Sequence, residues 1–265
     1  MNDVSPLTIP FSKFSACGND FLIIEGSQST DLAALTKKMC DRHTGIGADG
    51  VEWLFPAADA DIEARLVNAD GSAAEISGNG TRCVAAALCS EQPRERVTIK
   101  TGAGVKTSVL TGRGDTRFEF ETAMGEPRIS GELKLQLSVV ELRGSRVSIG
   151  NPHFVVCVGN FPPNWRELAA EIGARPEFKD GVNVEFVLLH GPGDLEARFF
   201  ERGVGETRSS GTGSCAAAVA AIAWGLAKSP VKVNAPGGAQ FVRWDDQIYL
   251  RGWAQLICRG EFFCE

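Results

Sequence analysis

The chain repeats itself at half its length. Residues 77–81 read Ser-Gly-Asn-Gly-Thr, and residues 210–214 read Ser-Gly-Thr-Gly-Ser. Gly18-Asn19 precedes the apolar run Phe21-Leu22-Ile23-Ile24, and Gly150-Asn151 precedes Phe154-Val155-Val156. Gly50-Val51-Glu52-Trp53-Leu54 is matched by Asn183-Val184-Glu185-Phe186-Val187. The steps from Asn19 to Asn151 and from Ser77 to Ser210 are 132 and 133 residues in a chain of 265. Four matches in one order at nearly one offset define two homologous halves related by a pseudo-twofold. Solenoid repeats are far shorter, at about 20–50 residues, so the period is that of duplicated domains. The predicted halves are 1–123, which a last strand at about 255–265 can complete, and 124–254. Met124-Gly125-Glu126-Pro127 reads as the turn between them.

Most of the chain has the pattern of short strands. VEWLF, ARLVN, RVTIKT, VKTSVL, RFEFE, LKLQLSVVEL, RVSIG, FVVCV, NVEFVLL, EARFFE, VKVNA and QIYLRG are apolar or β-branched runs bounded by Gly, Pro, Asp or Asn. Helices are few. Residues 32–39 form a short candidate, and 164–172 form another with Asn164 as its predicted cap. The two strongest candidates, 80–89 and 213–228, are each opened by the repeated Gly-x-Gly. Both are Ala-rich and nearly uncharged past the first turn, which predicts burial on all sides. The expected fold class is therefore α+β: two pseudosymmetric domains, each a β-barrel-like sheet wrapped around a central buried helix.

Composition narrows the function. With 43% apolar and 23% charged residues the chain is an ordinary globular protein. A net charge of −6 gives no basic face for a polyanion, so no nucleic-acid partner is expected. The apolar stretch 216–227 is too short to span a bilayer, and no membrane partner is expected. The first twenty residues lack a basic start followed by a long apolar run. Eight cysteines without a Cys-x-x-Cys pair argue against zinc and are expected to stay reduced, in a cytoplasmic protein. Gly45-Ile46-Gly47-Ala48-Asp49-Gly50 has the letters of a dinucleotide fingerprint, but an apparent strand follows where a helix is required. No Walker A, nucleophile-elbow or His-Glu-x-x-His sequence is present.

The repeated device has a chemistry of its own. A helix start offers unpaired N–H groups and a partial positive charge. Glycines there let an anion approach, so each copy is either a carboxylate or phosphate cradle or a plain cap with Ser77 or Ser210 in front. A pseudo-twofold could turn both starts into one cleft. Inverting a stereocentre by proton transfer needs such an arrangement, with one group on each face of the carbon. Asn68 precedes the first device, and Glu201-Arg202 precedes the second at the matching offset. Asn19, Asn151 and Asn183 stand at turns beside strands, and His153 follows Asn151-Pro152.

Together, FSACGNDFLII, CDRHTGIGADGVEWL, NADGSAAEISGNGTRCVAA, GNPHFVV, GVNVEFV and ERGVGETRSSGTGSCAA resemble the diaminopimelate epimerase family, in order from about 11 to 221. The resemblance implies two-base epimerisation of LL- and meso-2,6-diaminopimelate without a cofactor or metal, on the route to lysine and peptidoglycan, usually in a homodimer. It also implies that Asn19, Asn68, Asn151, Asn183 and Arg202 bind substrate. Gly78-Asn79 and Gly211-Thr212 would hold its α-carboxylate by backbone N–H groups, while His153 and Glu201 tune the catalytic pair. Gly50 departs from members with glutamine there. A larger departure is that the family's two cysteine bases fall on Ser77 and Ser210, with Cys83 and Cys215 too far inside the helices to replace them. A thiol titrates near about 8.5, or roughly 3.5–7.5 at a helix start, and a serine hydroxyl is a far weaker acid. Three readings follow: a lineage that carries serines and still epimerises, an epimerase whose two cysteines were replaced deliberately to trap substrate or prevent a disulfide, or a relative that binds an amino acid or isomerises another substrate with a carboxylate base.

Overall fold

The computed structural model describes residues 7–27 and 31–264. The reading of the chain's first residues rests partly on 1–6, outside this set. The described residues divide into two compact units, 7–120 with 253–264, and Glu121–Gly252.

In the first unit β1 (Leu7–Ala16) turns back antiparallel on β2 (Asn19–Glu25). Helix α1 (Leu32–Cys40) crosses over to β3 (Gly50–Phe55), which runs parallel to β2 with Phe21 opposite Gly50. Next, β4 (Ile62–Asn68) is antiparallel to β3 and carries the short β5 (Ala73–Ala74). After α2 (Gly78–Glu91) come β6 (Arg96–Thr101), parallel to β4, and β7 (Gly104–Arg113), antiparallel to β6. The following strand, β8 (Arg117–Gly125), contains the first unit's boundary.

The second unit repeats this order. It opens with β9 (Arg128–Gln136), β10 (Glu141–Ser148) and β11 (Pro152–Cys157). Helix α3 (Trp165–Gly173) leads to β12 (Asn183–Gly191), parallel to β11 with His153 opposite Asn183. Then come β13 (Asp194–Glu201), β14 (Gly205–Thr207), α4 (Gly211–Ala223), β15 (Val231–Ala235) and β16 (Gly238–Trp244). Helices α1 and α3, and α2 and α4, begin 133 residues apart. The last strand, β17 (Ile248–Cys264), pairs with β16 at its start and with β1 from Gln255 onward.

Each unit is a barrel-like sheet around one helix. Residues 79–87 of α2 are buried, as are 213–221 of α4. Their alanines make both helices narrow, so strands can approach from every side: Phe14, Phe118 and Phe120 around α2, and Phe199, Val233 and Leu250 around α4. The crossover helices are half-exposed and amphipathic. Trp165, Leu168, Ala169 and Ile172 of α3 pack on Phe154 and Phe186.

Several boundaries differ from the sequence reading. Both central helices begin at the first glycine of the device, because the preceding serine caps the third helical residue. Helix α4 stops at Ala223, not near 228, because Gly225 takes a left-handed φ of 72° and Leu226 N–H closes on Ala221 O. Asn164 stands at the cap position of α3 without a side-chain cap bond. The run LKLQLSVVEL is two strands, split by a turn in which Leu137 N–H donates to Val140 O while Glu171 accepts from Ser138.

A narrow, surrounded helix has no room for bulk. Ala217→Leu is expected to lower the unfolding free energy by about 1–3 kcal/mol, measured by urea denaturation, with the spectrum of the folded state unchanged.

Candidate active site

The serine of each device is a helix cap in fact. Gly80 N–H donates to Ser77 Oγ at 3.0 Å, and Gly213 N–H donates to Ser210 Oγ at 3.1 Å. Each serine backbone carbonyl accepts the N–H of the residue four positions on, Thr81 or Ser214. Gly78-Asn79 and Gly211-Thr212 are therefore the first helical residues, where N–H groups lack intrahelical acceptors.

Around the first device the side chains form a net of fixed charge. Asn79 Nδ2 donates to Asn19 Oδ1 at 2.7 Å, and Asn19 Nδ2 donates to Asp49 Oδ2 at 3.0 Å. Arg42 bridges Asp49 and Asp20, and Lys13 pairs with Asp20 at 2.9 Å. Burial works against the Asp20 carboxylate, but hydrogen bonds from Arg42 and Lys13 outweigh it and hold its pKa below the ordinary value. Asn68 ends β4 and donates to Ser72 Oγ at 3.0 Å across the turn that leads toward Ser77.

Around the second device stand a histidine and two carboxyl groups. His153 lies between Asn151 Oδ1, 2.9 Å from Nε2, and Glu185 Oε1, 2.7 Å from Nδ1. Asn151 Nδ2 donates to Thr212 Oγ1 at 3.3 Å, tying β11 to the helix start. Asn183 accepts from Arg202 N–H at 3.0 Å and donates to Pro152 O at 3.0 Å. The exposed Arg202 guanidinium reaches Asp180 O at 2.7 Å. Burial pushes the Glu201 carboxyl up, while its hydrogen bond with the Ser210 side chain pulls the other way. Thus Asn19 and Asn79 meet at the first device. His153, Asn151 and Thr212 meet at the second, as do Ser210 and Glu201, while Asn68 and Arg202 are held by local turns.

Three residues escaped the sequence reading. Arg82 is 1% exposed, and its guanidinium donates to Asn79 Oδ1 at 2.7 Å. Glu52 and Glu185 occupy the same place in the two halves, each beneath a central helix. A Cβ on Gly80 would collide with Glu52 Oε1 and stand 3.1 Å from Ser77 Cβ. A Cβ on Gly213 would stand 2.9 Å from both Glu185 Oε1 and Ser210 Cβ. The second glycine of the device is therefore needed for a carboxyl group to approach the helix start. The signal was present in VEWL and VEFV, where an acid interrupts an apolar strand at the same point of both copies. Cys83 and Cys215 lie a turn inside the helices, wholly buried, and burial pushes the Cys83 thiol well up. Among the described residues no group of His, Cys, Asp and Glu is arranged to hold a metal ion, and no helix is long and apolar enough to cross a membrane.

The same fold occurs in solved structures of other proteins. A hydroxyproline epimerase from Agrobacterium vitis aligns with a TM-score of 0.73 at 18% identity, over 97% of this chain and 92% of that one. A phenazine biosynthesis protein of Bacillus anthracis aligns at 0.75 and 16% identity, over 97% of this chain and all of the other. These alignments show the shared fold. The sequence profile described as "Diaminopimelate epimerase" matches residues 11–130 and 145–257, one segment for each half. Curated diaminopimelate epimerases of Caldanaerobacter subterraneus and Pelotomaculum thermopropionicum are 35% and 36% identical, each over 95% of this chain and 98% of its own length. That of Synechocystis is 35% identical over 96% and 99%. This chain belongs to the diaminopimelate epimerase family.

Glu52 gives the site a measurable pH signature. Burial alone raises its pKa from 4.5 to about 8. Between those values the unfolded chain has lost the proton that the folded chain keeps, so this group's contribution falls as pH rises through the window and is gone above it. Glu52→Gln is expected to gain stability relative to the parent from pH 5 to pH 8, measured by urea denaturation at both. An equal difference at the two pH values contradicts the assignment.

Proposed function

We infer that this chain interconverts LL- and meso-2,6-diaminopimelate by cofactor-independent two-base proton transfer, in lysine and peptidoglycan precursor synthesis. The observation that carries the reading is the doubled capped helix start, in a chain that diaminopimelate epimerases match over 95% of its length. Ser77 and Ser210 form the acid–base pair. One Oγ takes the α-proton, the electron pair is delocalised into the α-carboxylate, and the other serine returns a proton to the opposite face. Backbone N–H groups of Gly78-Asn79 and Gly211-Thr212 bind that carboxylate. They act with most effect as charge builds on it in the transition state. Asn19, Asn68, Asn151, Asn183 and Arg202 bind the rest of the substrate, and the exposed guanidinium of Arg202 suits its distal carboxylate.

The second device favours catalysis by serine over silent binding. Glu201 is bonded to Ser210, and its raised pKa brings the carboxyl closer to neutrality as a base. The Ser210 hydroxyl proton passes to Glu201 as Oγ takes the α-proton, so no free alkoxide is required. We propose that the enzyme acts as a cytoplasmic homodimer, as the family resemblance implies.

The test is α-proton exchange of LL- and meso-diaminopimelate in D2O, followed by NMR. Exchange with inversion is expected. Binding without exchange would assign the chain to the silent class. Ser77→Cys combined with Ser210→Cys is expected to raise the rate by about 10²-fold or more. Arg202→Ala should weaken diaminopimelate binding by roughly 10–100-fold through loss of a charged hydrogen bond. Unchanged affinity would remove diaminopimelate as the substrate.

A further inference from the structure

Glu185 is a buried acid that the proposed mechanism does not use, and three contacts determine where its proton lies. Asn151 Nδ2 donates to Thr212 Oγ1, so the amide turns its oxygen toward His153. An amide oxygen only accepts, so His153 Nε2 carries a hydrogen. In a neutral ring Nδ1 is then bare. Glu185 Oε1 stands 2.7 Å from it, a distance that needs a hydrogen in between. That hydrogen comes either from a carboxylic acid or from an imidazolium.

The other carboxyl oxygen discriminates between these. Glu185 Oε2 is buried with no hydrogen-bond partner, in a residue 1% exposed. An ionised carboxylate would leave half its charge on that unpartnered oxygen. A neutral acid leaves only a carbonyl oxygen there, at much lower cost. The titratable groups acting on Glu185 are His153 from β11 and Glu201 from β13, while α4 faces it with Gly213. Burial is the largest influence and pushes the Glu185 carboxyl up. A charged His153 would oppose this, and Glu201 adds to it.

We propose that Glu185 is a positioning residue that carries a proton in the resting protein and donates it through Oε1 to Nδ1 of His153, holding the imidazole neutral with its hydrogen on Nε2. The first unit has no such device, because Phe21 stands at the place of His153 and Glu52 has only its burial.

The first test is 15N NMR of the full chain with His43→Gln and His190→Gln, which leaves His153 as the only histidine of three. No substrate is needed, so the result stands apart from the epimerase reading. At neutral pH the expected spectrum has a hydrogen on Nε2 and an unprotonated, hydrogen-bonded Nδ1. A hydrogen on Nδ1 with a bare Nε2, or a doubly protonated ring, would overturn the proposal. The second test is Glu185→Gln, whose amide N–H still donates to Nδ1 but has no mobile proton. His153 in the folded variant is expected to keep its hydrogen on Nε2 and an unprotonated, hydrogen-bonded Nδ1, because one neutral donor has replaced another. A ring that changes its tautomer or its protonation in the folded variant would show that Glu185 was ionised in the parent and would overturn the proposal. If the variant does not fold, the parent spectrum alone decides the resting proton.

Discussion

Each unit depends on a helix narrow enough to be surrounded. Alanine and glycine keep α2 and α4 thin, and the strands close around them with aromatic and branched side chains. Surrounding a helix has a consequence at its start, where the first N–H groups find no partners within the helix. Ser77 and Ser210 satisfy the third helical N–H, and the glycines keep the remaining surface open. The same geometry that makes the core possible thus leaves two anion-seeking helix starts. A carboxylate substrate suits them on electrostatic grounds alone.

Duplication supplied two copies of this scaffold, and the copies have since acquired different chemistry. Matched positions hold Phe21 and His153, Gly50 and Asn183, Asn68 and Glu201, and Arg82 and Cys215. The first copy surrounds its helix start with permanent charges, Arg42, Asp20, Asp49 and the buried Arg82. These position the amides of Asn19 and Asn79. The second copy places His153 between Asn151 and Glu185, and Glu201 against Ser210. A two-base reaction on a chiral carbon is itself asymmetric in its substrate, so equal devices with unequal surroundings fit it.

Under the proposed function, serine at both base positions alters the demands on those surroundings. A cysteine at a helix start can ionise with help from the helix alone. A hydroxyl cannot, and it needs an acceptor for its own proton in the same step. Glu201 is bonded to Ser210 and, under the proposed function, fills that need in the second copy. In the first copy the nearest acid beneath the helix start is Glu52, neutral over much of the physiological range.

The repeat, the two buried helices, the serine caps and the family were legible in the sequence, because periodicity, composition and local cap chemistry are local properties. The helix ends were less legible. Leu226 and Ala227 are good helix formers, and only the left-handed Gly225 stops α4. The split in LKLQLSVVEL was hidden because both sides of the turn are apolar. Asn19, Asn151 and His153 were legible as candidates, but their partners were not, since those lie 30 to 61 residues away. Above all, Glu52 and Glu185 could be seen as letters and not as acids beneath a helix. The sequence by itself determined that there are two halves and two capped helices. Only the tertiary structure decided which carboxyl groups lose water and partners, because burial and long-range pairing set proton affinity, and neither is a property of neighbours in the chain.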